Sequence, residues 1–323
     1  MFATTAPLVS VTISTRNRCA VLEKALRSVY AQDYANREIL VVDDASEDGT
    51  SDYIRSCHPD IRLFRNEQNK GYIVARNLMM REARGKYLVN IDDDAYFLNG
   101  DAISNVVARM EAEPELGIIN FRVVDPEDRA PLLPVAEYYT SNFWGTGHGI
   151  RRAVIQAAGC YRETRTWIGE ESDLALRALD RGYRLIQFPH AIVAHPRFAP
   201  GREPPGSPGY RDPAQTWRLS TKTRLLYAWL NEPFPWWVFS TANVLVKYTA
   251  GATRQGCADA VLRGLWQAVR DFPRFKASRR PVSSRTMRLY LALGRRRYTE
   301  ASKIRALYHS PPGIFATLFG RAS

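Results

Sequence analysis

Tyr87-Leu88-Val89-Asn90-Ile91-Asp92-Asp93-Asp94 is the stretch on which the fold turns. Its first half is a short apolar run entered from Gly85-Lys86, the pattern of a buried strand. Its second half places three carboxylates in a row at the C-terminal end of that strand. Adjacent carboxylates repel one another, so a fold gains nothing by collecting them unless a cation comes too. A hard divalent metal with oxygen ligands, shared with a phosphate-bearing substrate, is the natural partner. A solvated acidic turn is the alternative.

Outward from this stretch, strand and helix patterns alternate. Leu8–Ile13, Glu38–Val42 and Ile61–Phe64 read as strands, the second ending in Asp43-Asp44. Between them lie an amphipathic stretch with Val21, Leu22, Ala25, Leu26 and Val29, a helix from about Thr50, and a helix from Ile73 to Ala83. This alternation predicts a layered α/β protein with a parallel sheet. Ligands of such sheets bind beyond the carboxyl ends of the strands, so the two acidic clusters can converge although they are far apart in sequence. Further on come a helix at Ala102–Glu111, a strand at Leu116–Val124 and a polar loop from Asp125 to Pro134. The Gly-rich stretch Gly145–Gly149 leads into a helix at Arg151–Ala158. A helix through Leu174–Leu179 and two apolar runs, Leu185–Phe188 and Ile192–Ala194, follow.

Taken together, the pieces resemble an inverting family 2 glycosyltransferase with the GT-A fold. They are Val9–Arg18, Ile39–Ser46, Asn69-Lys70-Gly71 with Ala75-Arg76-Asn77, Gly85-Lys86-Tyr87 with the aspartates, Gly149–Arg152, and Gly169–Leu174. The resemblance covers Leu8 to His195. It implies a Rossmann-like mixed sheet flanked by helices. It makes Asp92-Asp93-Asp94 the D-x-D motif, with Asp94 on a Mg2+ or Mn2+ ion, Asp92 supporting the metal, and Asp92 and Asp93 near the ribose. It places Ser14, Arg18, Asp43, Asp44, Gly71, Arg76 and Asn77 at the donor nucleotide, with Asp44 accepting from a uracil or thymine imide. It places His195 on the metal or the diphosphate. It makes Glu171 the general base that takes the acceptor hydroxyl proton, with Glu170 able to share that work; Glu171 stands where the family usually has Asp. His148, Trp144 and Trp167 are candidates for contact with a sugar.

The chain has 323 residues and a net charge of +12. That charge is concentrated: Gly201–Ser323 holds 21 Lys and Arg against 6 Asp and Glu, a balance of +15, whereas Met1–Pro200 stands at −3. The Pro- and Gly-dense segment 198–213 is read as a linker between a catalytic domain at 1–197 and a basic, mostly helical region at 214–323. Trp217, Trp229, Trp236, Trp237 and Trp266 lie among Arg in that region, a mixture suited to an anionic membrane surface. A helical cover for the site, or a dimer interface, is the alternative use of these helices. Gln215-Thr216-Trp217-Arg218 has only half of the Q-x-x-R-W motif of processive synthases.

Four scattered cysteines (Cys19, Cys57, Cys160, Cys257) fit free thiols. With no signal-peptide pattern at Met1–Pro7 and no long apolar span, the expectation is a cytoplasmic protein peripheral to the inner face of the cell membrane. The expected function is transfer of a hexose or deoxyhexose from a UDP- or dTDP-sugar, with inversion. The acceptor is a hydroxyl of a glycan or lipid-linked molecule, in cell-surface polysaccharide or glycoconjugate synthesis. A polyprenyl-phosphate glycosyltransferase is the other enzyme reading. A basic nucleic-acid-binding protein would leave the ordered motifs unexplained.

Overall fold

The apolar runs flanking the aspartates become the parallel half of one sheet. The computed structural model describes residues 6–127, 136–163, 169–196 and 212–313. Strands β1 (Val9–Thr15), β2 (Arg37–Asp43), β3 (Arg62–Arg65) and β4 (Tyr87–Asn90) run parallel in the order β3-β2-β1-β4. Helices α1 (Cys19–Tyr30), α2 (Thr50–Cys57) and α3 (Tyr72–Glu82) make the crossovers. Leu22, Ala25, Leu26 and Val29 bury the inner face of α1, as their spacing predicts, but Val21 is exposed. It sits on the same helix one residue off the apolar stripe.

Beyond β4 the sheet turns mixed, as the resemblance implies and simple alternation does not. Two-residue β5 (Tyr96–Phe97), helix α4 (Ala102–Ala112), β6 (Leu116–Val124) and two-residue β7 (Tyr138–Tyr139) follow. The Gly-rich stretch is not merely a lead-in to a helix: His148–Arg151 forms strand β8, antiparallel to both β4 and β6. Gly149 has no side chain because Val106 and Met110 of α4 press on that point of the strand. Helices α5 (Arg152–Ala158) and α6 (Glu170–Asp180) then lead to β9 (Arg184–Ala194). The two apolar runs expected at its ends form this one strand, with a register shift against β6 between the Phe121 and Arg122 pairs. The full order is β3-β2-β1-β4-β8-β6-β9-β5, with β7 on β9.

Register brings the acids together. Thr12 is level with Asn90 and Thr15 with Asp43, so Asp92–Asp94 leave β4 at the edge where Asp43-Asp44 leave β2. On the far side, β5 pairs antiparallel with β9, Tyr96 opposite Ala194. That pairing sets His195, one residue past β9, beside the end of the aspartate run.

Helices α7 (Pro213–Asn231), α8 (Trp236–Arg254), α9 (Asp259–Phe275), α10 (Ser284–Arg295) and α11 (Ala301–His309) complete the described chain. Asp212 caps α7, accepting from the backbone N–H groups of Ala214 and Gln215, with Pro213 at the first helical position. Most of the expected linker lies outside the described residues. Leu289, Leu293, Ile304 and Leu307 of α10 and α11 join the same core cluster as the sheet. Among the tryptophans, Trp236 is buried, Trp217 packs on Tyr248 and Trp229 stacks on Phe272, while Trp266 is 61% exposed. No described helix is long and apolar enough to cross a membrane.

Candidate active site

The cleft is built around the run that follows β4. Asp92, Asp94 and His195 each offer one ligand atom, all within 4.8 Å of one another. His195 Nε2 lies 3.2 Å from Asp94 Oδ1 and 4.0 Å from Asp92 Oδ2. Two carboxylate oxygens and an imidazole nitrogen suit Mn2+ or Mg2+, so this donor set fits the ion that the sequence leads one to expect. Burial works against ionisation of Asp94, but His195 and Arg18 hold its carboxyl below the usual range. A carboxylate that stays ionised is what a hard cation needs.

The three aspartates divide by partner. Asp93 is buried, and its Oδ1 accepts from the Arg18 guanidinium at 2.9 Å; burial outweighs Arg18 and pushes its carboxyl up. Arg18 also reaches Asp94 Oδ2 at 2.8 Å. Asp92 Oδ1 accepts from Arg76 at 2.7 Å, and its backbone N–H meets Thr146 Oγ1 at 3.2 Å.

Arg76 links the aspartates to α6. Its side chain is 7% exposed, and its second terminal nitrogen lies 3.6 Å from Glu171 Oε1. Glu170 and Glu171 open α6 behind Gly169, whose φ of +98° is a glycine conformation. The helix N-terminus favours acids there. Burial first, then the neighbouring Glu170, push the Glu171 carboxyl up to about 7, against the pull of Arg76. Glu170 Oε1 takes the Tyr72 hydroxyl, and its Oε2 is buried with no partner among the described residues. Arg76 Nε and the Tyr161 hydroxyl are likewise buried and unpartnered among the described residues. Unpaired buried polar atoms are costly, so their clustering around one carboxylate marks a place for a polar ligand.

Three candidates serve the frame. Asp43 is fully buried and accepts from the Ser46 backbone N–H, the Ser51 hydroxyl and Arg65. These bonds outweigh burial and keep its carboxyl low. Asn77 is buried in bonds to the Tyr161 backbone and to Glu163. His148 is 1% exposed, bonded to the Trp144 carbonyl oxygen at 2.9 Å and packed edge-on against Phe143; burial, then Arg76, push it down to about 3. It is a neutral imidazole buried in the sheet.

The others border the cleft. Asp44 accepts from Asn66 at 2.8 Å, the Lys70 backbone N–H at 2.9 Å and the Gly71 N–H at 2.7 Å, so it shapes the loop that leads into α3. Gly71 caps α3 at a φ of +88° with open space around its Cα. Ser14 is half-buried one residue before the end of β1. Trp144 is 62% exposed beside the cleft, and Trp167 lies outside the described residues.

Sequence reasoning missed Tyr72, Thr146 and the role of Gly145. A Cβ at Gly145 would strike the Glu171 carboxylate and stand 3.0 Å from the Arg76 guanidinium. The Gly145 carbonyl is held in place by Asn90 Nδ2 at 2.9 Å. The Gly-rich stretch carried that signal, but its partner across the cleft did not show in the sequence.

Comparisons agree with this frame. Residues 10–158 match the family described as "Glycosyl transferase family 2". A Campylobacter jejuni protein named GalNAc(5)-diNAcBac-PP-undecaprenol beta-1,3-glucosyltransferase is 35% identical over 107 residues, 32% of this chain and 34% of its own length. An Escherichia coli protein named UDP-Glc:alpha-D-GlcNAc-diphosphoundecaprenol beta-1,3-glucosyltransferase WfaP is also 35% identical over 107 residues, 33% of this chain and 42% of its own. The match thus spans well under half the length of these relatives. Among solved structures, a mannosyltransferase from Pyrobaculum calidifontis, in complex with GDP-Man and Mn2+, superposes with a TM-score of 0.55. It is 22% identical, over 83% of this chain and 88% of that one. Residues 10–158 thus match family 2 glycosyltransferases, and the fold is the GT-A fold of the solved neighbour.

Proposed function

We propose that the protein is a metal-dependent, inverting glycosyltransferase that moves a sugar from a nucleoside-diphosphate sugar, UDP- or dTDP-linked, to an acceptor hydroxyl. The observation that carries the reading is that Asp92, Asp94 and His195 converge on one point and are joined to Glu171 through Arg76. Asp94, Asp92 and His195 would hold Mg2+ or Mn2+, which neutralises charge on the departing diphosphate. Glu171 accepts the acceptor's hydroxyl proton as that oxygen bonds to the anomeric carbon. The bond from carbon to the diphosphate oxygen breaks on the opposite face, and its electron pair leaves with the diphosphate. Arg76 fixes the carboxylates on both walls, and Arg18 stands at the mouth to meet phosphate oxygens.

A carboxyl raised to about 7 favours a hydroxyl acceptor over a phosphate, which needs no base. The names of the C. jejuni and E. coli relatives describe transfer to sugars on undecaprenol diphosphate. They support a glycan or lipid-linked acceptor at a membrane surface. Calorimetry across nucleotide sugars with Mn2+ tests the site. One donor class should bind, and Asp94→Ala should weaken it about tenfold or more. No binding by the wild type, or equal binding by Asp94→Ala, would sink the assignment.

A further inference from the structure

Helix α9 is docked inside out for a core helix. Its inner face is built from small residues: Ala260, Gly264 and Ala268 are buried against α7. A Cβ at Gly264 would stand 2.5 Å from the Arg218 carbonyl oxygen and 2.8 Å from Thr221 Cβ, so the two helices meet at backbone distance. Val261 is buried with them, and Leu265 and Phe272 pack against the α7 and α8 core, but three other large apolar side chains point outward. Leu262, Trp266 and Val269, spaced at i, i+4 and i+7, are 67%, 61% and 53% exposed. Exposing such a stripe forgoes the burial of three large apolar side chains, so it signals a partner outside the chain.

The charges beside the stripe identify that partner. Arg263, Arg270 and Arg274 flank it and are exposed, and the Arg270 guanidinium lies 4.9 Å from the centre of the Trp266 ring. From Arg254 to Arg280 the chain has seven Lys and Arg against two Asp. Asp271 is bonded to Lys222 at 2.6 Å, and Asp259 pairs with Arg263. A second apolar patch, Phe234, Val238 and Phe239, lies where α8 begins, in a stretch with no charged residue from Phe234 to Val246. Trp229, just before it, stacks on Phe272 of α9, so this patch lies near the C-terminal end of that helix. An exposed Trp and aliphatic stripe rimmed by arginines fits the headgroup zone of an anionic bilayer. Nucleic acid would leave the apolar stripe unserved, and a second copy would set the same arginines against each other.

We propose that the outer face of α9, with the apolar entry to α8, docks the protein on an anionic lipid bilayer. This gives the lipid-linked acceptor of the proposed function a surface to arrive on. It rests on that reading only there, because lipid binding needs no nucleotide sugar, and each can fail without the other.

Co-sedimentation of the full chain tests it. The vesicles are phosphatidylcholine alone or phosphatidylcholine with phosphatidylglycerol. The variants are Leu262→Ser with Trp266→Ser, and Arg270→Glu with Arg274→Glu; far-UV circular dichroism and nucleotide-sugar calorimetry serve as checks on folding. The wild type should bind the phosphatidylglycerol vesicles, and less so as salt rises. Each double variant should lose about tenfold or more of that partition while keeping its helix content. Three results would overturn the proposal. One is a wild type left in the supernatant, and another is variants that partition as the wild type does. The third is a wild-type dimer that the serine variant turns into a monomer while neither binds vesicles.

Discussion

Glu171 carries the clearest pH signature of any residue in the cleft. Its carboxyl titrates near 7 because it is buried beside Glu170, with Arg76 as the opposing pull. The base works ionised, so the rate constant kcat/KM should climb as pH rises through about 7 and level off above it. Glu171→Gln should remove that climb and lower kcat about 10²- to 10⁴-fold with donor binding intact. A mutant that keeps the pH profile would place the base elsewhere. Stability moves the other way. The folded-state value lies above the ordinary 4.5, so the protonated carboxyl contributes stability that is full below that value and is lost as pH rises through about 7. Glu171→Gln, always neutral, should therefore melt about 2–4 °C above the wild type at pH 8 and with the wild type at pH 5. The carboxylate proposed as the base is a liability to the fold at the same pH.

At the scale of elements, the site is a meeting of strand ends, and the least visible element sets its width. β8 is four residues long with a glycine inside it, too short for an alternating pattern to announce. The loop leading into it brings Gly145 against Glu171 with no room for a methyl group. Gly145→Ala should push the Glu171 carboxylate or the Arg76 guanidinium aside. The expected result is a kcat reduced about 10²-fold, as for a reacting group misplaced by about 1 Å, with nucleotide-sugar affinity in calorimetry within about twofold of the wild type. A loss of affinity with kcat unchanged would mean that the loop shapes the donor pocket instead. The same geometry explains what sequence could reveal. Asp92–Asp94 and Glu170-Glu171 were legible because local patterns put acids at a strand end and a helix start. His195 was read from the family resemblance alone, because it joins the aspartates through the pairing of β5 with β9, and a two-residue strand has no periodicity to read. Asp43, Asn77 and His148 have the residue types of a binding site, but distant partners claim their polar atoms. Nothing local distinguishes an aspartate spent on Arg65 from one open to a nucleotide.

The molecule as a whole binds α6, the helix that carries Glu171, to the basic C-terminal helices through one buried knot. Asp173, in the first turn of α6, accepts from Arg162 at 2.8 Å, Arg177 at 2.7 Å and Asn231 Nδ2 at 2.7 Å. Asn231 ends α7 and also takes Arg162 on its own oxygen at 2.7 Å. A second tie runs from Asp180, at the other end of α6, to Ser283 and Thr286 at the start of α10. With α10 and α11 in the core of the sheet, the composition step near residue 200 marks a change of task without a break in packing. Such a chain should unfold as one unit. Tryptophan fluorescence reports on both halves, since Trp144 lies in the sheet region and most of the others in the helices. In denaturant, its transition should coincide with the far-UV circular dichroism transition. Asp173→Ala strands Arg162 and Arg177 with no carboxylate between them. It should lower stability by about 3 kcal/mol and move both signals together. If the variant splits the transition in two, the C-terminal helices fold on their own. The orientation of Glu171 would then owe nothing to the layer proposed to rest on the membrane.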